Sequence, residues 1–168
     1  MIGRPLTEAE AALALSVFAA AIDYRRVRVH NRKWWPFQPR QVTMAPDGNL
    51  WFHPESGLFC ADFCDSPLHI QGHFIHEMTH VWQAQKGGRW YLPLMRHPFC
   101  RYDYEIVPGR PFHRYGLEQQ AEIVRHAFLL RHGFARKASR RWRPMRRCCR
   151  SRAFRTSPAH LPSAGGRE

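Results

Sequence analysis

His76-Glu77-Met78-Thr79-His80, an H-E-x-x-H run inside a segment of helical periodicity, constrains this chain more than any other stretch. On a helix, residues four apart share a face, so His76 and His80 can turn two imidazoles toward one metal ion. Glu77 follows the first histidine and can take a proton from water held at that metal. Neutral nitrogen ligands, an open coordination position and a carboxylate base are what a zinc hydrolase requires. The spacing is therefore a mechanism as well as a pattern. The plain alternative is a core helix whose histidines only form hydrogen bonds, and context must decide between the two.

Phe74, Ile75, Met78, Val81 and Trp82 form a stripe that would bury one side of such a helix. Ser66-Pro67 reads as its N-cap and first residue, and Gly87-Gly88 as its stop, which predicts a helix over about residues 67–86. A catalytic zinc needs a third protein ligand. The extended metzincin form would place glycine at 83 and histidine at 86, where this chain has Gln83 and Lys86, so that form is excluded. A second helix, predicted from about Tyr115 to Arg131 and stopped by Gly133, carries Glu118 and Glu122 four apart on one face. One carboxylate could bind the metal while the other holds a ligand histidine by its second ring nitrogen. Apolar Leu117, Ala121, Val124 and Phe128 flank that side, which argues against two surface charges.

His69 and His73 precede His76 on the same helix. Neither is followed by a carboxylate in the required place, so both are read as supporting or surface residues. Tyr104, His113 and Tyr115 approach the second helix and are candidates to donate to an oxyanion. Tyr115 is carried forward among them, although a packed tyrosine is the commoner outcome.

The length of 168 residues fits one domain with a core, over residues 1–135, followed by a tail over 136–168. The net charge of +13 is unevenly spread: the tail holds eleven Lys/Arg against the single acid Glu168. A segment so basic and poor in large apolar residues cannot offset its ordering entropy, so it is expected to be disordered. Nucleic-acid contact through its arginines, with Trp142 and Phe154 as stacking groups, is the less favoured reading. Five unevenly spaced cysteines suggest no disulfide framework, and Cys60-x3-Cys64 lacks the second pair of a zinc knuckle. Reduced thiols follow.

No apolar run is long enough to cross a membrane. Ala11 to Ala21 could mimic a signal-peptide core, but Glu8 and Glu10 precede it and Thr7-x-x-Glu10 is a capping box. Thr7–Tyr24 is read as a helix and the location as cytoplasmic, with export by a specialised route left open. Beyond it, residues 27–30 alternate as a strand, and residues 34–39 form a proline-punctuated aromatic loop expected to pack as a plug. Residues 42–44 and 50–53 flank Pro46-Asp47-Gly48-Asn49 as a hairpin, and residues 100–107 are a further strand candidate. The order suits an α+β domain with two helices meeting over a small sheet.

H-E-x-x-H on one helix with E-x-x-A-[DE] on a later one resembles the gluzincin metallopeptidases. That resemblance implies a zincin-like fold and one Zn2+ per chain. It implies Glu118 as the third ligand beside His76 and His80, and Glu122 as the acid that orients a ligand; Glu122 stands where aspartate is usual. Helix 1, Trp-Trp-Pro-Phe-Gln-Pro-Arg, Met-Ala-Pro-Asp-Gly, His-Glu-Met-Thr-His-Val-Trp-Gln and Tyr-Gly-Leu-Glu-Gln-Gln-Ala-Glu-Ile-Val are together similar to a small bacterial family of Vgr-related proteins. The likeness covers about residues 4–133 and implies a loose link to type VI secretion components, without establishing a reaction.

Three functions are weighed. The first is a zinc-dependent hydrolase, a metallopeptidase acting on a peptide or protein with Glu77 as general base. The second is a metal-binding structural or adaptor domain of a secretion or toxin system, against which an intact Glu77 argues. The third is nucleic-acid binding through the tail.

Overall fold

Capping and burial explain where each element begins and ends. A computed structural model describes residues 3–88, 91–92 and 101–134; the tail over 136–168 and most of the Pro/aromatic stretch at 90–98 lie outside the described residues. Strand β1 is Arg4–Pro5, followed by helix α1 at Glu8–Phe18 and short 3-10 turns at Ala19–Ala21 and Tyr24–Arg26. Strands β2 (Arg28–Asn31) and β3 (Leu50–Phe52) come next, then a turn at Phe63–Asp65 and the long helix α2, Leu68–Gly87. A last turn at Phe112–Arg114 leads into α3, Leu117–Arg131.

The three strands form one sheet in the order β1-β2-β3. β1 runs antiparallel to β2, with Arg4 opposite Val29, and β2 runs parallel to β3, with Val29 opposite Leu50 and Asn31 opposite Phe52. Val27, Val29, Leu50 and Phe52 are fully or almost fully buried beneath the helices. Phe52, Phe63 and Phe74 stack in succession, with ring centroids 5.2 and 5.0 Å apart, and so tie β3 and the turn to α2. The predicted stripe on α2 behaves as expected: Phe74, Ile75, Met78 and Val81 are fully buried. α3 lies against α2 at close range. A Cβ on Gly72 would meet Leu129 Cδ2 at 2.9 Å, so glycine there lets the second helix approach.

The Thr7/Glu10 capping box forms as read from sequence. Glu10 does more than cap, because it is fully buried and receives Arg4 at 2.7 and 2.8 Å and the amides of Thr7 and Phe63 at 2.9 and 3.0 Å. Those donors offset the desolvation of a buried carboxylate.

Several expectations need correction. The first helix stops at Phe18 rather than Tyr24, because Ala19 turns to φ 48° and the chain bends to bring Ile22 and Val27 into the core. Its end is held by the Tyr24 hydroxyl donating to the Ala19 carbonyl at 2.6 Å. Pro67, not Ser66, is the N-cap of α2, and the Ser66 hydroxyl instead donates to Cys60 Sγ at 3.2 Å. The hairpin reduces to one bridge between Met44 and Trp51, while β3 takes its ladder from β2. Side chains replace the missing ladder: Gln38 Nε2 donates to the carbonyls of Val42 and Trp51, and Asn49 Oδ1 accepts from the Arg28 amide. The aromatic loop is no plug, since Trp34 and Trp35 are about two-fifths exposed and Phe37 is 78% exposed, whereas Gln38 is the residue that enters. Residues 101–107 form no strand. They are tied to the α3 region by side chains, with Gln119 Nε2 donating to the Asp103 carbonyl and the Val107 amide donating to Tyr115 Oη.

Candidate metal centre

α2 and α3 together position the candidate site. His76 and His80 are one turn apart on the buried face of α2, 5% and 1% exposed, and Glu118 rises from the first turn of α3, 1% exposed. Glu118 Oε2 lies 3.4 Å from His76 Nε2 and 3.3 Å from His80 Nε2, and the two imidazole nitrogens are 3.3 Å apart. One nitrogen or oxygen from each of the three residues falls within 4.8 Å of the others. A buried histidine pair and a carboxylate converging so closely form a donor set that fits a divalent cation.

Each imidazole is also held on its far side. Glu122 Oε1 stands 2.9 Å from His76 Nδ1, and Gln83 Oε1 lies 2.8 Å from His80 Nδ1. Arg125 in turn holds Glu122 at 3.1 Å, and His126 Nε2 stands 3.6 Å from its other oxygen. Outer partners of this kind fix ring orientation where histidines bind a metal.

Glu77 is 3% exposed and follows His76. Its Oε1 is 3.8 Å from His73 Nε2, which itself lies 2.9 Å from the Thr43 hydroxyl, and its Oε2 is buried with no hydrogen-bond partner among the described residues. A buried carboxylate oxygen with no donor is costly unless it has work with a proton or a ligand.

The charges follow from this packing. Burial alone would hold the His76 imidazole below its ordinary value, but Glu118, Glu122 and Glu77 outweigh it and push the pKa up to about 9. Burial would raise the Glu122 carboxyl, yet His76 and Arg125 bring it down to about 2. Burial lowers the pKa of both His73 and His126. The surrounding carboxylates therefore favour the protonated His76 ring. His76 has a folded pKa above its ordinary 6.5, so its contribution to stability is complete below about pH 6.5 and disappears as pH rises through about 9. The Glu122 contribution is present above its ordinary 4.5 and disappears as pH falls through about 2. The melting temperature of protein kept in chelator should therefore fall between pH 6.5 and 9. Circular-dichroism melts across that range check this, and a flat profile would contradict it.

The structure places the other sequence candidates as follows. Tyr104 is half-buried and bonds His126 Nδ1 at 2.8 Å; burial, then the Glu122 charge, push its pKa up to about 12. Tyr115 is buried, with its hydroxyl accepting from the Val107 amide at 3.0 Å and Arg110 over its ring. His113 lies on an exposed turn, and His69 is exposed. Cys60 and Cys64 are free thiols. Burial, then neighbouring acids, raise Cys64 to about 11, a poor condition for a thiolate ligand. Sequence reasoning missed Gln83, Gln120 and Thr43, as well as Tyr102, whose half-exposed ring lies nearly parallel to His76 at 6.5 Å. Gln83 had a readable signal, since it sits three residues after His80 on the buried face of the motif helix.

Two helices packed over a small mixed sheet, with a buried His-His-Glu group between them, define an α+β domain with a candidate metal centre. No protein-family model matches the chain. It is 40% identical over 139 residues to the type VI secretion system spike protein VgrG2b of Pseudomonas aeruginosa, a match covering 79% of this chain and 13% of the spike protein. The solved effector domain of Pseudomonas aeruginosa VgrG2b superposes with a TM-score of 0.66 at 38% identity, covering 82% of this chain and 81% of that one. The chain belongs to the family of the VgrG2b effector domain. The resemblance to Vgr-related proteins read from the sequence thus holds.

Proposed function

We propose that this chain is a secretion-linked effector domain of zincin-like fold that works as a gluzincin-type, zinc-dependent peptidase. Kinship with a spike protein's effector domain supports the secretion link and an exported destination. No described helix is long and apolar enough to cross a membrane. One observation carries the hydrolytic reading: His76, His80 and Glu118 converge while the adjacent Glu77 keeps a buried oxygen with no donor among the described residues.

His76, His80 and Glu118 would hold the metal. Zinc in such a donor set supplies Lewis acidity toward a carbonyl and lowers the pKa of water at the site. Glu77 accepts the proton of the attacking water at Oε2 and later delivers it to the leaving amine nitrogen. Glu122 and Gln83 keep the two imidazoles facing inward, and His73, bonded to the Thr43 hydroxyl, lies 3.8 Å from Glu77 Oε1. The Tyr115 hydroxyl accepts from the Val107 amide, and we assign it as a candidate donor to the oxyanion, with Tyr102, whose ring lies 6.5 Å from that of His76, as a second candidate phenol.

A metal-binding adaptor domain is the second reading, favoured by the relative's place in a secretion spike. An adaptor has no use for a buried base beside its ligands, and the two readings separate on cleavage. Zinc-loaded chain incubated with a peptide library and analysed by mass spectrometry should yield new termini. A library left intact at high enzyme concentration would overturn the peptidase reading in favour of the adaptor.

A further inference from the structure

Gln83 and Gln120 lie on facing sides of α2 and α3, 3% and 7% exposed, and together they end on the ring of His80. Which end of each amide carries the NH2 group is fixed by chemistry. Gln83 Nε2 lies 3.1 Å from the Leu117 carbonyl, and a backbone carbonyl only accepts, so this end must be the donor. Gln120 Nε2 lies 2.7 Å from the Tyr115 carbonyl, which fixes the second amide in the same way. The remaining ends then match: Gln83 Nε2 donates to Gln120 Oε1 at 3.1 Å, and Gln83 Oε1 faces His80 Nδ1 at 2.8 Å.

An amide oxygen can only accept. His80 Nδ1 must therefore carry a hydrogen, and in the neutral ring Nε2 keeps its lone pair. That lone pair points to the same place as His76 Nε2 and Glu118 Oε2. We propose that Gln83, oriented by the Leu117 carbonyl and by Gln120, is a positioning residue that sets the His80 tautomer for metal binding. Two backbone carbonyls at the start of α3 thus dictate the chemistry of a ring on α2. The device couples the docking of the two helices to the readiness of the ligand. It also explains why a buried glutamine stands at position 83, where a shorter or apolar side chain would leave Nδ1 without an acceptor.

The metal role rests on the reading of His76, His80 and Glu118 as a metal site, but the tautomer can be read without metal. Nitrogen-15 NMR of metal-free wild-type protein, at a pH where the His80 ring is neutral, should show Nδ1 protonated and Nε2 bare. A ring protonated at Nε2 would overturn the proposal whatever the protein binds. Zinc affinity, measured by competition with a chromophoric chelator, forms the second arm. Gln83→Leu should weaken zinc binding about 10–100-fold, the usual scale for an outer partner of a ligand histidine. Gln83→Glu keeps an acceptor facing Nδ1 but gives up the donor to Leu117 and Gln120, so it should recover only part of that loss, with circular dichroism confirming the fold of each variant. Equal loss in both folded variants would show that the position matters only for packing and would overturn the proposal. If the Leu variant fails to fold, Gln120→Leu replaces it. That change removes one anchor and leaves the Leu117 carbonyl, so it should cost less than tenfold and keep the Nδ1–H tautomer; a switch to Nε2–H is expected only if Gln120 alone orients the amide, which would contradict the arrangement described. Wild-type protein that binds no zinc would overturn the metal reading, and the NMR arm would still decide the tautomer.

Discussion

Glu77→Gln is expected to lower peptide hydrolysis by roughly two to four orders of magnitude, the usual scale for loss of a general base, while zinc stays bound. The substitution keeps the size and hydrogen-bonding outline of the side chain but removes its capacity to take a proton. Glu77 is outside the converging group of His76, His80 and Glu118, so metal retention should be close to that of wild type. Its buried Oε2 lacks a donor among the described residues, and an amide NH2 in that place introduces no clash of charge with the neighbouring His73. Turnover of a cleaved library peptide, measured beside zinc content, checks both halves. Hydrolysis that survives in a zinc-loaded Glu77→Gln protein would place the base elsewhere.

The second large effect separates the two acids of α3. Glu118 Oε2 lies within 3.4 Å of the Nε2 atoms of both His76 and His80, whereas Glu122 touches His76 only from behind, at Nδ1. Glu118→Gln exchanges an anionic donor for a neutral amide at the centre of the site. Glu122→Gln keeps an amide oxygen able to accept from His76 and should cost about 10–100-fold in zinc affinity. The Glu118 variant should cost clearly more and lose zinc on dialysis. Equal retention by the two variants would mean that the ligand assignment is wrong. Glu118→Gln also removes one of the carboxylates that hold a proton on His76, so the alkaline loss of stability in metal-free protein should begin at lower pH.

Much of the site could be read in the sequence because helical spacing turns order into geometry. His76 and His80 on one helix, and Glu118 and Glu122 on another, needed only that the two helices meet, and their apolar flanks required them to. The sheet was less legible. β1 is two residues long and carries no pattern of its own, and the parallel pairing of Leu50–Phe52 with Arg28–Asn31 depends on contacts between separated segments. The expected hairpin failed for a related reason. The turn at Gly48 forms, with φ +83°, but Gln38 and Asn49 supply side-chain bonds where a ladder was expected. Polar residues in loops thus decided what apolar alternation could not. The same holds at the centre itself: Gln83 and Gln120 look unremarkable in the sequence, and they gain meaning only once α3 presents the Leu117 and Tyr115 carbonyls to them.

Exposure of Trp34, Trp35 and Phe37 corrects the reading of that loop as a plug and shows the limit of composition as a guide. Aromatic residues between prolines suggested burial, yet the loop is anchored by its one buried amide, Gln38, whose Oε1 accepts from the Trp34 amide at 2.8 Å.

In the proposed function, metal held by His76, His80 and Glu118 makes this domain a hydrolase. Its most direct test is metal content measured together with cleavage in wild-type protein, as purified, after stripping with chelator, and after one equivalent of zinc is returned. One zinc per chain is expected, with library cleavage lost on stripping and recovered on reloading. Protein that holds no zinc, or that cleaves equally well when stripped, would contradict it.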